Sequence, residues 1–156
     1  MLKVEIPGHG LLCLRYLVSD YNGTLACDGK LIPDVIPLLH ALSEHLAIHV
    51  VTADTFGFAR DQLADLPVTL TILAPEQQDQ GKLDHVKQLG TKSAICLGNG
   101  KNDMLMLREA ALGICLIEHE GSCVQTLMEA DVVCKTVSDA LNLLLNPKRL
   151  IATLRM

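Results

Sequence analysis

Short apolar runs alternate along this chain with stretches in which apolar residues recur every third or fourth position. That is the pattern of buried strands alternating with amphipathic helices. The runs predict strands over Leu11–Ser19, Ala47–Thr52, Val68–Leu73, Ser93–Leu97, Leu112–Ile117 and Asp131–Cys134. Helical spacing predicts helices over Ile32–His45, Phe56–Leu63, Pro75–Leu89, Asn102–Ala111, Ser122–Glu129, Val137–Leu145 and Pro147–Leu154. Pro33 falls in the first turn of the first helix, where a missing N–H costs nothing. Gly90 closes the third. Such alternation with short loops implies an α/β fold: a mostly parallel sheet with helices on both faces. In these sheets ligands bind beyond the carboxyl ends of the strands. Three of those ends carry compact polar groups, namely Asp20, Thr52-Ala53-Asp54 and Gly98-Asn99-Gly100, and they converge on one crevice.

Composition narrows the picture. At 156 residues the chain fits a single domain, residues 1–156, with no repeat or linker inside it. Apolar residues make up 49% but aromatics only 3%, so the core is built from Leu, Val, Ile, Ala and Cys. The net charge of −5 and the absence of any Lys/Arg cluster argue against nucleic acid as a partner. No apolar run approaches membrane-spanning length, and the opening MLKVEIPGHG does not have signal-peptide form. The six cysteines stand singly, without the spacing of a zinc site or a disulfide framework. These features predict a reduced, cytoplasmic protein. The six histidines are scattered and read by default as solvated surface residues.

The segment Leu17-Val18-Ser19-Asp20-Tyr21-Asn22-Gly23-Thr24-Leu25 sets a carboxylate at a strand end before a Gly-Thr turn. Glycine permits tight backbone geometry, and turn amides point at anions. The carboxylate suits a metal ligand or a nucleophile toward phosphorus; ordinary turn chemistry is the plain alternative. Thr52 offers a hydroxyl at the second strand end, or simply a helix cap. Lys82, in Gly81-Lys82-Leu83-Asp84-His85-Val86, and its neighbour Lys87 are the candidate cations. Gly98-Asn99-Gly100-Lys101-Asn102-Asp103 occupies the third strand-to-helix junction.

In order and spacing, these four segments resemble the motifs of the haloacid dehalogenase (HAD) superfamily: D-x-D-G-T-L, a strand ending in Ser or Thr, a lysine, and G-D-G-x-N-D. They are most similar to the phosphorylation domain of P-type ATPases and to soluble P-type ATPase-like proteins. The resemblance covers nearly the whole chain after about residue 11. It implies a cap-less, three-layer Rossmann-like HAD fold and Mg²⁺-dependent phosphoryl transfer. Asp20 would be the nucleophile, forming an aspartyl-phosphate. Thr52 and Lys82 would stabilise the phosphoryl group, with Gly23, Ala53 and Asn102 completing a phosphate cradle. Asp20, Asn22, Asn99 and Asp103 would hold the metal.

Two positions depart from the family pattern. Asn22 replaces the acid/base Asp and cannot shuttle a proton, which implies slow hydrolysis of the phosphoenzyme. Asn99 replaces a carboxylate ligand and weakens metal binding. The substrate would be a small phosphorylated compound or a phosphoprotein. An open site also leaves room for a wall from a neighbouring subunit in a homo-oligomer. The alternative is a non-catalytic phospho-ligand-binding or regulatory protein on the same scaffold.

Overall fold

The computed structural model describes residues 1–156. It begins with an antiparallel hairpin of β1 (Leu2–Ile6) and β2 (Gly10–Leu14), with Leu2 opposite Leu14. After β3 (Tyr16–Ser19), a small second hairpin joins β4 (Ala26–Cys27) to β5 (Lys30–Leu31). There follow α1 (Val35–Ser43), β6 (Ala47–Thr52), α2 (Ala59–Leu63), β7 (Val68–Ile72), α3 (Gln78–Leu89), β8 (Ala94–Gly98) and α4 (Met104–Glu109). The chain continues through β9 (Leu112–Leu116), α5 (Val124–Met128), β10 (Val132–Cys134), α6 (Val137–Leu145) and α7 (Pro147–Leu154). No helix is long and apolar enough to cross a membrane.

Six strands form one parallel sheet in the order β10-β9-β8-β3-β6-β7. Alternation along the strands sends Leu17, Ile48, Val50, Ile95 and Leu97 into one core and Val18, Val51 and Cys96 into another. The first core is covered by α1, α6 and α7, through Leu39, Leu42, Leu141, Leu144 and Leu150 among others. The second is covered by α3 and α4, through Val86, Met106 and Leu107. With both faces buried, the strands read as continuous apolar runs, which is why the sequence pattern finds them. Each fully buried Leu or Val contributes about 1.5–3 kcal/mol to stability. The predicted three-layer α/β architecture is therefore the observed one. No domain is inserted between β3 and α1, or between β6 and β8.

Several expectations are corrected. The predicted strand Leu11–Ser19 is two strands, parted at Arg15, whose N–H bonds Ser93 and whose carbonyl accepts from Ala47. One half pairs with β1 and the other enters the parallel sheet. The β1–β2 and β4–β5 hairpins were not predicted. The helices foreseen from Phe56 and Pro75 begin only at Ala59 and Gln78. His49 and His85 are not solvated: they are half-buried, with Nδ1 of His49 and Nε2 of His85 3.2 Å apart. Elsewhere the chain follows expectation: its apolar end packs inward, with Leu150 buried and Ile151 and Leu154 against the main core. All six cysteines are free thiols, and Cys96 and Cys115 are buried in the sheet.

Candidate active site

The strand order sets β3 between β6 and β8, so the three polar strand ends lie side by side. They open into a cavity of about 210 Å³ lined by Asp20, Asn22, Thr52, Ala53, Thr55, Gln78, Asn99, Gly100, Asn102 and Glu120. Ala53 is its one apolar contributor. A second, larger concavity lies at the β10 edge near Lys135, Asp139 and Arg149, away from the strand ends.

Beneath the cavity floor is a buried triad of charges. Lys82 Nζ lies 2.9 Å from Asp20 Oδ1 and 2.6 Å from Asp103 Oδ1, and all three side chains are almost wholly inaccessible to water. α3 delivers the lysine, β3 ends at Asp20, and the turn entering α4 supplies Asp103. Asp103 Oδ2 accepts the backbone N–H groups of Asn99 at 3.0 Å and Gly100 at 2.9 Å. Gly98 makes room for this arrangement: a Cβ there would meet the Asp103 carboxyl carbon at 2.4 Å.

Burial, reinforced by the nearby Asp103 charge, raises the Asp20 carboxyl to about 7 despite the opposing pull of Lys82. For Lys82, burial favours the neutral amine, but Asp103 and Asp20 outweigh it and hold the ammonium above its usual range. The cation is thus secured mainly by Asp103, and Asp20 is the member left harder to ionise.

The loop after β3 is shaped by Gly23, at a φ of 74°. A Cβ there would strike the Asn99 side chain, whose amide nitrogen lies 2.5 Å away. Asn99 donates from Nδ2 to Gly121 at 2.9 Å, which leaves its Oδ1 without a hydrogen bond in the chain. The Oδ1 of Asn22 and the hydroxyl of Thr24 are buried without partners. After β6, Thr52 Oγ1 accepts from the Asp54 N–H at 3.0 Å, and Asp54 Oδ1 accepts from Ala59 at the start of α2. Asp54 therefore caps the helix, and Thr52 is left facing the cavity. Asn102 donates to Gln78 at 2.7 Å, joining the α4 turn to α3 across the rim.

The structure thus gathers Asp20, Asn22, Thr52, Ala53, Asn99 and Asn102 around one cavity, with Lys82, Asp103 and Gly23 packed beneath or beside it. Lys82, not Lys87, is the buried cation. Asp103 has both oxygens engaged, by Lys82 and by two backbone N–H groups, so a metal contact would share an oxygen that is already bonded or pass through water. The remaining donors are hard oxygens with a single carboxylate, Asp20. They fit a cation such as Mg²⁺, which uses one or two carboxylates and fills its shell with water and phosphate oxygens. Thr55, Gln78 and Glu120 also line the cavity and were not anticipated.

Comparison with known proteins bears on this geometry. No protein-family model matches the chain. It is similar to the 3-deoxy-D-manno-octulosonate 8-phosphate phosphatase of Moraxella catarrhalis, solved with magnesium, phosphate and KDO (TM-score 0.72, 18% identity, 92% of this chain and 95% of that one). The corresponding Yersinia pestis phosphatase gives a TM-score of 0.70 at 11% identity, covering 96% and 95% of the two chains. A haloacid dehalogenase-like hydrolase of Streptococcus pneumoniae gives 0.59 at 16% identity, covering 83% and 98%. The fold is therefore that of the HAD hydrolases. In sequence, the chain is 49% identical over 69 residues to an uncharacterized protein of Methanocaldococcus jannaschii, a match spanning 44% of this chain and 74% of that protein. The chain belongs to the same family as that protein. Two of these structural relatives are phosphatases and the third a hydrolase, and the likeness to P-type ATPases rests on the motifs alone.

Proposed function

We propose that the protein is a Mg²⁺-dependent phosphohydrolase of HAD type that works through an aspartyl-phosphate at Asp20. The observation that carries this reading is the buried Asp20–Lys82–Asp103 triad at the floor of a polar cavity. Burying three charges is costly, and a scaffold with no reaction to perform has no need of them. Phosphatases among the structural neighbours, one solved with magnesium and phosphate, support the same reading.

In this account the Asp20 carboxylate attacks phosphorus, in line with the departing oxygen. Lys82 neutralises charge on the phosphoryl group and, held by Asp103, keeps a fixed position as that charge shifts. The Thr52 hydroxyl and the backbone around Gly23 and Ala53 bind the phosphoryl oxygens, with Asn102 at the rim. Asp20, the Asn22 carbonyl and Asn99 Oδ1 would hold Mg²⁺, which when bound offsets the negative charge of the phosphoryl oxygens. Asp103 holds Lys82 and the Asn99–Gly100 backbone, and would reach the metal through an oxygen it already shares or through water. Asn22 stands where an acid would serve hydrolysis of the phosphoenzyme, so position 22 itself moves no proton.

A panel of phosphomonoesters and acyl phosphates, assayed for Mg²⁺-dependent phosphate release, tests this. Release should disappear in Asp20→Asn and rise in Asn22→Asp, which adds a carboxylic acid beside the phosphoryl site. The second reading, a phospho-ligand-binding protein without turnover, draws on the same Asn22 and Asn99. It gains if neither the parent nor Asn22→Asp releases phosphate while inorganic phosphate still binds.

A further inference from the structure

Phosphoryl transfer from an alkyl phosphomonoester needs a proton carrier, because the departing alkoxide is strongly basic. Position 22 does not supply one, since an amide neither gives nor takes a proton at neutral pH. The Asn22 Oδ1 is nonetheless buried and unpartnered beside the cavity. Apart from Asp20, the cavity lining contains one acidic side chain, Glu120.

Glu120 is positioned from across the chain. It stands on the loop between β9 and α5, and its Oε1 accepts the N–H of Asp28 at 2.9 Å. Asp28 turns the β4–β5 hairpin at a φ of 50°. The hairpin is itself fastened, because the carbonyl of Gly29 accepts from the Tyr21 hydroxyl at 3.1 Å and from Gln62 at 3.0 Å. One carboxylate oxygen of Glu120 is thus anchored while the other makes no hydrogen bond within the chain. At about 210 Å³ the cavity is smaller than sites that enclose a drug-sized ligand, which run ~300–1,000 Å³. It takes a phosphoryl group and the atoms next to it, and Glu120, an exposed side chain, is part of the same lining.

We propose that Glu120 is the proton carrier for phosphoryl transfer through Asp20, an inference that rests on the phosphohydrolase reading above. In the first step an Asp20 oxygen bonds to phosphorus and the ester P–O bond breaks. Its electron pair stays on the leaving oxygen, which takes the proton of the Glu120 carboxyl. In the second step a water oxygen bonds to phosphorus and gives a proton to the Glu120 carboxylate. The phosphorus–Asp20 bond breaks with its pair returning to Asp20, and the starting state is restored. The groups near Glu120 are Asp28 and Cys27 of the hairpin, with Glu118 and His119 preceding it on its own loop, and Asp20 lines the same cavity.

Glu120→Gln keeps an oxygen for the Asp28 N–H and removes the transferable proton. The experiment is rapid quench of protein-bound phosphate with Mg²⁺, using acetyl phosphate, whose acetate departs unprotonated, and glycerol phosphate, whose alkoxide does not. With acetyl phosphate, phosphorylation of Glu120→Gln should stay within about threefold of the parent while phosphoenzyme decay slows ~10²-fold. With glycerol phosphate, phosphorylation itself should slow ~10²-fold, and adding Asn22→Asp should recover both rates. Unchanged decay in Glu120→Gln overturns the proposal. So does equal slowing of phosphorylation with both substrates, or a raised Mg²⁺ requirement, since those mark a positioning or metal role. A parent that forms no phosphoenzyme from either substrate and releases no phosphate overturns the phosphohydrolase reading itself, and Glu120 with it.

Discussion

Lys82 and His85 stand three residues apart on the sheet-facing side of α3, and each ties the helix to the sheet through a polar contact. Lys82 is fully buried, charged, and shared between Asp20 and Asp103. His85 is half-buried and meets His49 of β6 at 3.2 Å, and Tyr16 lies edge-on to His49. Burial pushes both imidazoles below their usual range, the neighbouring ring adding to this for His49. One fastening holds charge where water is excluded, and the other holds neutral rings at the boundary of the core. The first stabilises a helix only because all three charges are present together, and it lies where chemistry is proposed. The second needs no charge at all. A buried charge assembly beside a structurally sufficient neutral one points to a functional role for the first.

The contrast predicts unequal responses. Lys82→Met, close in length but uncharged, strands Asp20 and Asp103 in the interior. Urea unfolding at pH 8 should show a loss of about 3–5 kcal/mol, the usual cost of breaking a buried pair, together with loss of any phosphate release.

Asp20→Asn should separate function from stability. The Asp20 pKa is raised in the fold, so its contribution is fully present below about pH 4 and is lost as pH rises through about 7. The variant escapes that loss. In metal-free buffer its stability relative to the parent should therefore improve between pH 4 and pH 8, by a few kcal/mol at most, since a tenfold change in proton affinity is worth about 1.4 kcal/mol. A stability difference that is flat over this range would show that Asp20 ionises normally.

The histidine contact should give the smallest effect. Its pKa values are lowered, so its contribution is present above the unfolded value of about 6.5 and fades as pH falls below it. Half-exposure and solvent screening keep this below about 1 kcal/mol. Replacing His85 with Phe should flatten the acid side of the Tm-versus-pH curve by roughly 1–3 degrees. An acid limb identical to the parent's would remove the His49–His85 pair as its source.

The three strand ends were legible in the sequence because strands buried on both faces read as apolar runs, and Asp20, Thr52 and Asn99 fall where those runs stop. Lys82 was legible through motif spacing. The engagement of Asp103 was not, since it depends on two backbone N–H groups in the Asn99–Gly100 turn and on the Gly98 surface. Glu120 lay beyond reach for a different reason. It sits in a polar loop, and the hairpin that holds it belongs to a distant part of the chain whose two-residue strands leave no periodic signal. The His49–His85 contact joins a strand to a helix and has no local signature in either. The break at Arg15 was hidden because apolar residues continue on both sides of it.

The central place of β3 has a kinetic consequence. Tyr16 pairs with Ala47 on one side and with Ala94 on the other. The strand that leads into Asp20 is the first of the sheet to be synthesised, yet it acquires its second neighbour only after about half the chain has followed. Closing so wide a loop is slow, so the carboxylate and its lysine come together late in folding. Until they do, β3 is an apolar strand with one open edge, and the nascent chain is most prone to aggregation while that edge waits for β8.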